Sequence, residues 1–165
     1  MTVIVVMGVA GSGKTTVGSR LARELGVEYA EADTFHPKAN IEKMSSGIPL
    51  TDEDRWPWLH AMADWIRAHQ DTGGVVSSSA LKRRYRAVLG SGGDVWFLHL
   101  HGPREVIAER MKNRSGHFMP VSLLDSQLAD LEPLEADERG LVVDIRATPD
   151  QIVNHALTTL AMEHS

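Results

Sequence analysis

Residues 8–15 read Gly8-Val9-Ala10-Gly11-Ser12-Gly13-Lys14-Thr15 and satisfy G-x-x-x-x-G-K-[ST] at every fixed position. The motif is meaningful only between a strand and the N-terminus of a helix, so it dictates the local topology around it. Glycines let the backbone wrap until successive N–H groups point inward at a phosphate, and the following helix adds its positive end. A Val-rich run, Val3–Met7, precedes the motif. After it, Val17, Leu21, Ala22 and Leu25 recur at helical spacing until Gly26, a residue suited to end a helix. The chain is therefore read as binding a nucleoside triphosphate through Gly8, Ala10, Gly11, Ser12, Gly13, Lys14, Thr15 and Thr16. Lys14 reaches the β- and γ-phosphates, and the Thr15 hydroxyl is a ligand for Mg²⁺.

Further apolar runs at 75–77, 95–100 and 141–145 are rich in Val, Ile or Leu and apolar at successive positions. That is the pattern of strands covered on both faces in a parallel sheet. A weaker candidate, polar at Glu28 and Glu31, lies at 27–31. Helical stripes fall between the runs: Leu59, Met62, Ala63 and Ile66, with Pro57 expected in the first turn; Val106, Ile107 and Met111; and Ile152, Val153, Ala156, Leu157 and Leu160. Alternating strands and helices predict an α/β fold of three layers, a five-stranded parallel sheet with helices on both faces. At 165 residues the whole chain, 1–165, is expected to form one domain.

Composition narrows the partners. Seventeen Lys and Arg against 22 Asp and Glu leave a formal charge of −5, which argues against gripping nucleic acid or an anionic membrane through bulk charge. No apolar run is long enough to span a bilayer, and Met1-Thr2-Val3-Ile4 carries no basic n-region. A cytoplasmic protein is the expectation. The absence of Cys removes disulfides, zinc–thiolate sites and cysteine nucleophiles. No N-K-x-D base-reading motif follows a later strand, as a common GTPase would need, and the length suits a small kinase acting on a metabolite. Glu31-Ala32-Asp33 places two carboxylates at the end of the second strand, beside the phosphate loop. One can hold Mg²⁺ through water, and the other can orient or deprotonate an acceptor hydroxyl.

With these blocks in view the chain resembles the gluconokinases of bacteria and eukaryotes, within the P-loop small-molecule kinases that include shikimate kinase. The resemblance covers most of the chain. It rests on the phosphate loop, on Asp33 through His36-Pro37, on Asn40-Ile41-Glu42-Lys43-Met44, and on Gly47-Ile48-Pro49-Leu50-Thr51-Asp52-Glu53-Asp54-Arg55 with Pro57-Trp58-Leu59. Ser79-Ala80-Leu81-Lys82-Arg83 with Tyr85-Arg86, Arg114-Ser115-Gly116-His117-Phe118-Met119-Pro120, Ser126-Gln127, Leu131-Glu132 and Val143-Asp144-Ile145 continue it. It implies a nucleoside- or shikimate-kinase-like fold with a small mobile lid near 114–124 and a substrate segment near 33–70. It implies ATP- and Mg²⁺-dependent phosphorylation of D-gluconate on its 6-hydroxyl, and a homodimer. Other small hydroxy acids, shikimate among them, and a nucleotide-binding regulatory module without a metabolite substrate are the alternatives.

The site residues follow. Lys14, Asp33 and the lid arginine Arg114 are the catalytic candidates. Arg110 is assigned to adenine or phosphate, and Thr148-Pro149 to the adenine border. Thr15 and Glu31 are assigned to the metal. For a polyol carboxylate the candidates are Asp33, His36, Asn40, Lys43, Arg55, Lys82, Arg86 and His117, the last either touching substrate or anchoring the lid. On its own Arg55 reads as an ion pair with Asp52 or Asp54, and only the resemblance moves it to the substrate carboxylate. Trp56, Trp58 and Trp65 read as packing, His99 and His101 as an improbable metal site, Arg83 and Arg84 as solvated, and 131–139 as a solvated acidic stretch. The chain departs from the family at Glu31-Ala32-Asp33, where D-G-D is common, at Ser78, where Cys is usual, and at Ala87, where Asp is common.

Overall fold

Val3, Val5 and Met7 face one side of the first strand and Ile4 and Val6 the other, and all five are buried. Such a strand can only lie mid-sheet with helices on both faces. The computed structural model, which describes residues 2–112 and 121–163, shows this arrangement. The strands are β1 (Val3–Met7), β2 (Glu28–Glu31), β3 (Gly74–Ser77), β4 (Val95–His101) and β5 (Gly140–Asp144). They form one parallel sheet in the order β2-β3-β1-β4-β5. The helices are α1 (Lys14–Leu25), α2 (Lys38–Ser45), α3 (Asp52–Ala68), α4 (Arg83–Gly90), α5 (Arg104–Lys112), α6 (Val121–Asp130) and α7 (Pro149–Glu163), with a 3-10 turn at Ala32–Phe35.

The two faces carry separate cores. Ile4, Val6, Trp96, Leu98 and Leu100 pack against Val17 and Leu21 of α1, Ile107 of α5 and Ile152, Val153 and Ala156 of α7. Val3, Val5, Met7, Val76 and Phe97 pack against Trp58, Leu59, Met62 and Ile66 of α3 and Tyr85 and Leu89 of α4. Each apolar stripe read from the sequence thus covers a sheet face. Gly26 ends α1 as expected, its N–H donating to the Ala22 and Arg23 carbonyls. Gly18 lets α1 approach the sheet closely: a Cβ there would lie 2.7 Å from the Tyr29 ring and 2.8 Å from Ser77 Oγ.

One expectation needs correction. Pro57 is not in the first turn of its helix, because α3 begins at Asp52. The Thr51 hydroxyl accepts from the Asp54 N–H while the Asp54 carboxylate accepts from the Thr51 N–H, a reciprocal cap that sets the start upstream. Pro57 then sits on the exposed side, where its missing N–H leaves the Glu53 carbonyl to solvent. Residues 121–124, the last of the expected lid segment, open α6. Among the described residues no helix is long and apolar enough to cross a membrane.

Candidate active site

The loop after β1 needs glycine at position 8. Its φ is 151°, and a Cβ would stand 2.7 Å from both the Leu100 carbonyl oxygen and Ser12 Oγ. The loop is drawn toward β3 by the Gly8 N–H, which donates to Ser79 O at 3.3 Å. α1 starts immediately after Gly13, so its unpaired N–H groups and positive end open onto the loop. Lys14 Nζ folds back across it, donating to the Gly8 and Val9 carbonyls at 2.9 and 3.1 Å.

A cleft of about 330 Å³ lies over this loop. Ala10, Gly11, Gly13, Lys14 and Thr15 form one wall, and Glu31 and Asp33, arriving on β2 and the 3-10 turn, form another. Ser77, Ser78 and Ser79 from the end of β3 complete it, with Trp58, Met111 and Gln127. The adjacent ends of β1, β2 and β3 therefore bring Lys14, Thr15, Glu31 and Asp33 to one opening. Thr15, Glu31 and Asp33 offer oxygen donors only, the set suited to a hard cation such as Mg²⁺ that takes its other ligands from phosphate and water.

The substrate segment divides. Asp33 is exposed into the cleft. His36 stacks on Trp58 with ring centroids 4.1 Å apart, and burial lowers its pKa, which favours the neutral ring. Trp58 in turn donates Nε1–H to the Ala32 carbonyl at 2.7 Å. It is packing, as read, but also cleft wall. Asn40 and Lys43 do not line the cleft. Asn40 is 3% exposed and donates to the Asp54 carbonyl at 2.9 Å, while Lys43 Nζ holds the Asp54 carboxylate at 2.8 and 2.9 Å. The Lys43 ammonium, with the Thr51 hydrogen bonds, keeps Asp54 at a pKa of about 2. Both side chains thus tie α2 to the start of α3 instead of meeting a substrate.

Arg55 belongs to a cluster beside His36. Its guanidinium donates to Tyr85 Oη at 3.2 Å and lies 3.5 Å from Asp52, while the Tyr85 hydroxyl donates to Asp52 at 2.5 Å. Arg84 pairs with the same Asp52 at 2.5 Å. Arg55, Arg84 and Lys82 stand 5.7, 5.4 and 5.9 Å from the centre of the Tyr85 ring. Two guanidinium groups share one carboxylate with the Lys82 ammonium nearby, which leaves positive charge beside His36. Arg55 is therefore an ion-pair partner of Asp52 and an anion-site candidate at once.

Arg86 is overturned as a substrate residue. It is 1% exposed, and it donates to the Glu138 carboxylate at 2.7 and 3.1 Å and to the carbonyls of Ala80, Leu81 and Pro133. The 131–139 stretch is likewise not simply solvated. Glu132 caps the α4 N-terminus through the Arg83 N–H, its own N–H donates to Leu81 O, and Glu135 and Asp137 pair with Arg83. These acidic residues clamp the loop after β3. Within that loop Ala80 holds φ at 45°, a left-handed conformation that side chains other than glycine adopt at a cost.

On the other side, Arg110 donates to the Ile145 carbonyl and so joins α5 to the loop before Pro149, the first residue of α7. Arg114 and His117, with most of the expected lid, lie outside the described residues. His99 is 3% exposed with neither ring nitrogen hydrogen-bonded among the described residues, and burial lowers its pKa to about 4. Sequence reasoning did not single out Gln127, Tyr85, Met111 or Ser77. Gln127 did stand in the quoted Ser126-Gln127 pair, a signal that named the residue without its neighbour.

Ser78 records a departure with a thermal consequence. Its hydroxyl is buried without a hydrogen-bond partner among the described residues, whereas the family's thiol at this place would need none. Ser78→Cys is expected to raise the melting temperature by roughly 2–4 °C, the shift of about 1 kcal/mol in a domain of this size, measured by thermal denaturation under reducing conditions. An unchanged or lower melting temperature would show that the hydroxyl is satisfied.

Comparison with known proteins agrees with this fold. The shikimate kinase family model matches residues 10–161. A gluconokinase from Gluconobacter oxydans is 46% identical over 157 residues, covering 93% of this chain and 88% of its own. The crystal structure of a gluconokinase from Sinorhizobium meliloti superposes with a TM-score of 0.88 at 48% identity, covering 98% of this chain and 92% of that one. An unliganded sugar kinase from Janibacter does so with a TM-score of 0.89 at 56% identity, covering 98% and 95%. A phosphate loop under a carboxylate-bearing cleft, on this sheet and with these relatives, makes the chain a member of the gluconokinase family of P-loop kinases.

Proposed function

We propose that the chain transfers the γ-phosphoryl group of ATP to the 6-hydroxyl of D-gluconate, giving 6-phospho-D-gluconate and ADP. The observation that carries this reading is the meeting, in one cleft, of Lys14 and Thr15 with Asp33, while the Arg55–Lys82–Arg84 cluster adjoins His36, which stacks on the cleft residue Trp58. Backbone N–H groups from Gly11 to Thr15 receive the phosphates, and Lys14 leaves the Gly8 and Val9 carbonyls to neutralise charge on the transferred group. Asp33 accepts the proton of the attacking hydroxyl and holds its oxygen in line. The polyol's carboxylate end is met by Arg55, with Lys82 and His36 beside it; a planar guanidinium suits a carboxylate. Thr15, with Glu31 through water, would hold Mg²⁺, which would supply positive charge to offset that of the phosphates. Arg110 and Pro149 border the adenine.

The test is a coupled ADP-release assay over a panel of sugar acids and shikimate. Gluconate should be turned over with the highest kcat/KM. A different best acceptor would move the chain to another hydroxy-acid kinase, and nucleotide binding with no acceptor-stimulated ADP release would make it a binding module.

A further inference from the structure

Gln127 reaches the phosphate loop from α6. Its Oε1 accepts the Ala10 N–H at 2.7 Å, across 117 residues of sequence. A backbone N–H can only donate, so this bond fixes which limb of the carboxamide is oxygen and which is nitrogen. The NH₂ group must occupy the other limb. Gln127 is half-buried in the wall of the cleft that holds Lys14 and Asp33, and Nε2 makes no hydrogen bond to the described residues.

α6 is anchored on both sides of Gln127. The Leu131 N–H donates to the Gln127 carbonyl, the Glu132 N–H donates to Leu81 O in the loop after β3, and Asp125 pairs with Arg104 of α5. Gln127 is thereby held over the phosphate loop, in the wall of the cleft that Lys14 and Asp33 also line. A neutral donor there, held by its own carbonyl, suits an anionic oxygen.

The geometry points to Gln127 as a binding residue for the transferred phosphoryl group, its NH₂ donating to a terminal phosphate oxygen while its carbonyl stays on Ala10. This rests on the reading that the cleft takes ATP, and it is independent of the identity of the acceptor.

Two substitutions separate this role from mere support of the loop. Gln127→Glu keeps an acceptor for the Ala10 N–H but replaces the donor by a negative charge. Gln127→Met keeps the bulk and loses both functions. The Mg²⁺ complexes of ATP and ADP are titrated into each purified protein, thermal unfolding is recorded, and kcat is measured with gluconate. The Gln127→Glu protein is expected to melt within a few degrees of the parent. It should bind ATP roughly ten- to a hundredfold more weakly while its ADP affinity changes by less than about threefold, and kcat should fall with it. The Gln127→Met protein should show the same ATP-selective loss in smaller measure. An unchanged ratio of ATP to ADP affinity in Gln127→Glu overturns the proposal, whether both affinities are retained or both fall together. Because that ratio needs no acceptor, a parent protein that ignores gluconate defeats the gluconate assignment and leaves this test intact.

Discussion

Asp33→Asn is expected to lower kcat with gluconate by roughly 10²–10⁴-fold, the usual worth of a positioned general base, with ATP affinity close to that of the parent. Asparagine is nearly isosteric and can still accept a hydrogen bond, so orientation of the hydroxyl survives and only proton acceptance is lost. Asp33 is exposed into the cleft on the 3-10 turn and packs against nothing that folding needs. Its replacement should therefore leave the melting temperature unchanged. Pre-steady-state measurement of ADP formation with saturating ATP and gluconate reads the chemical step directly. Parental turnover in Asp33→Asn would leave the carboxylate no part in transfer and would direct attention to Glu31.

The largest effect on stability is expected at a pair far from the chemistry. Glu138→Ala removes the only carboxylate that Arg86 meets among the described residues and leaves a guanidinium that is 1% exposed facing backbone carbonyls there. Breaking a buried pair from one side costs about 3–5 kcal/mol, a large share of the stability of a domain this size. Replacing both partners by apolar residues of similar volume, Arg86→Met with Glu138→Leu, should recover much of that loss, because no uncompensated charge remains. Urea denaturation of the three variants distinguishes the outcomes. A Glu138→Ala protein within about 1 kcal/mol of the parent would mean the pair is worth no more than a surface one. The double variant still loses the guanidinium bonds to the Ala80 and Leu81 carbonyls, so its kcat reports whether the loop after β3 needs that brace.

What was readable in advance and what was not follow from the range of each interaction. The phosphate loop, the strand runs and the stripes on α1, α3, α5 and α7 depend on neighbours in sequence and on one covered face, so periodicity exposes them. The start of α3 was misplaced although Thr51 and Asp54 stood in plain view, because a proline was given more weight than a reciprocal cap. Arg86 was misassigned because its partner lies 52 residues away in a segment whose charge looked solvated. A basic residue in the first turn of the helix that follows a strand reads the same whether it meets a ligand or a buried glutamate. Gln127 and Ala10 lie farther apart still, and nothing local to either residue indicates the other.

The position of β1 in the sheet has a consequence for synthesis. β1 is made before both of its neighbours and ends as the middle of the finished sheet, with β3 on one side and β4 on the other. Its buried valines have no partner in this sheet until residues 74–77 have been made, and the second flank waits for 95–101. Throughout that interval the nascent chain carries an apolar strand with two open edges, the kind of segment that associates with other chains when exposed. Slower translation beyond residue 101 would change little. A pause before residue 74 should favour aggregation, and chaperone dependence should be greatest for chains stalled there.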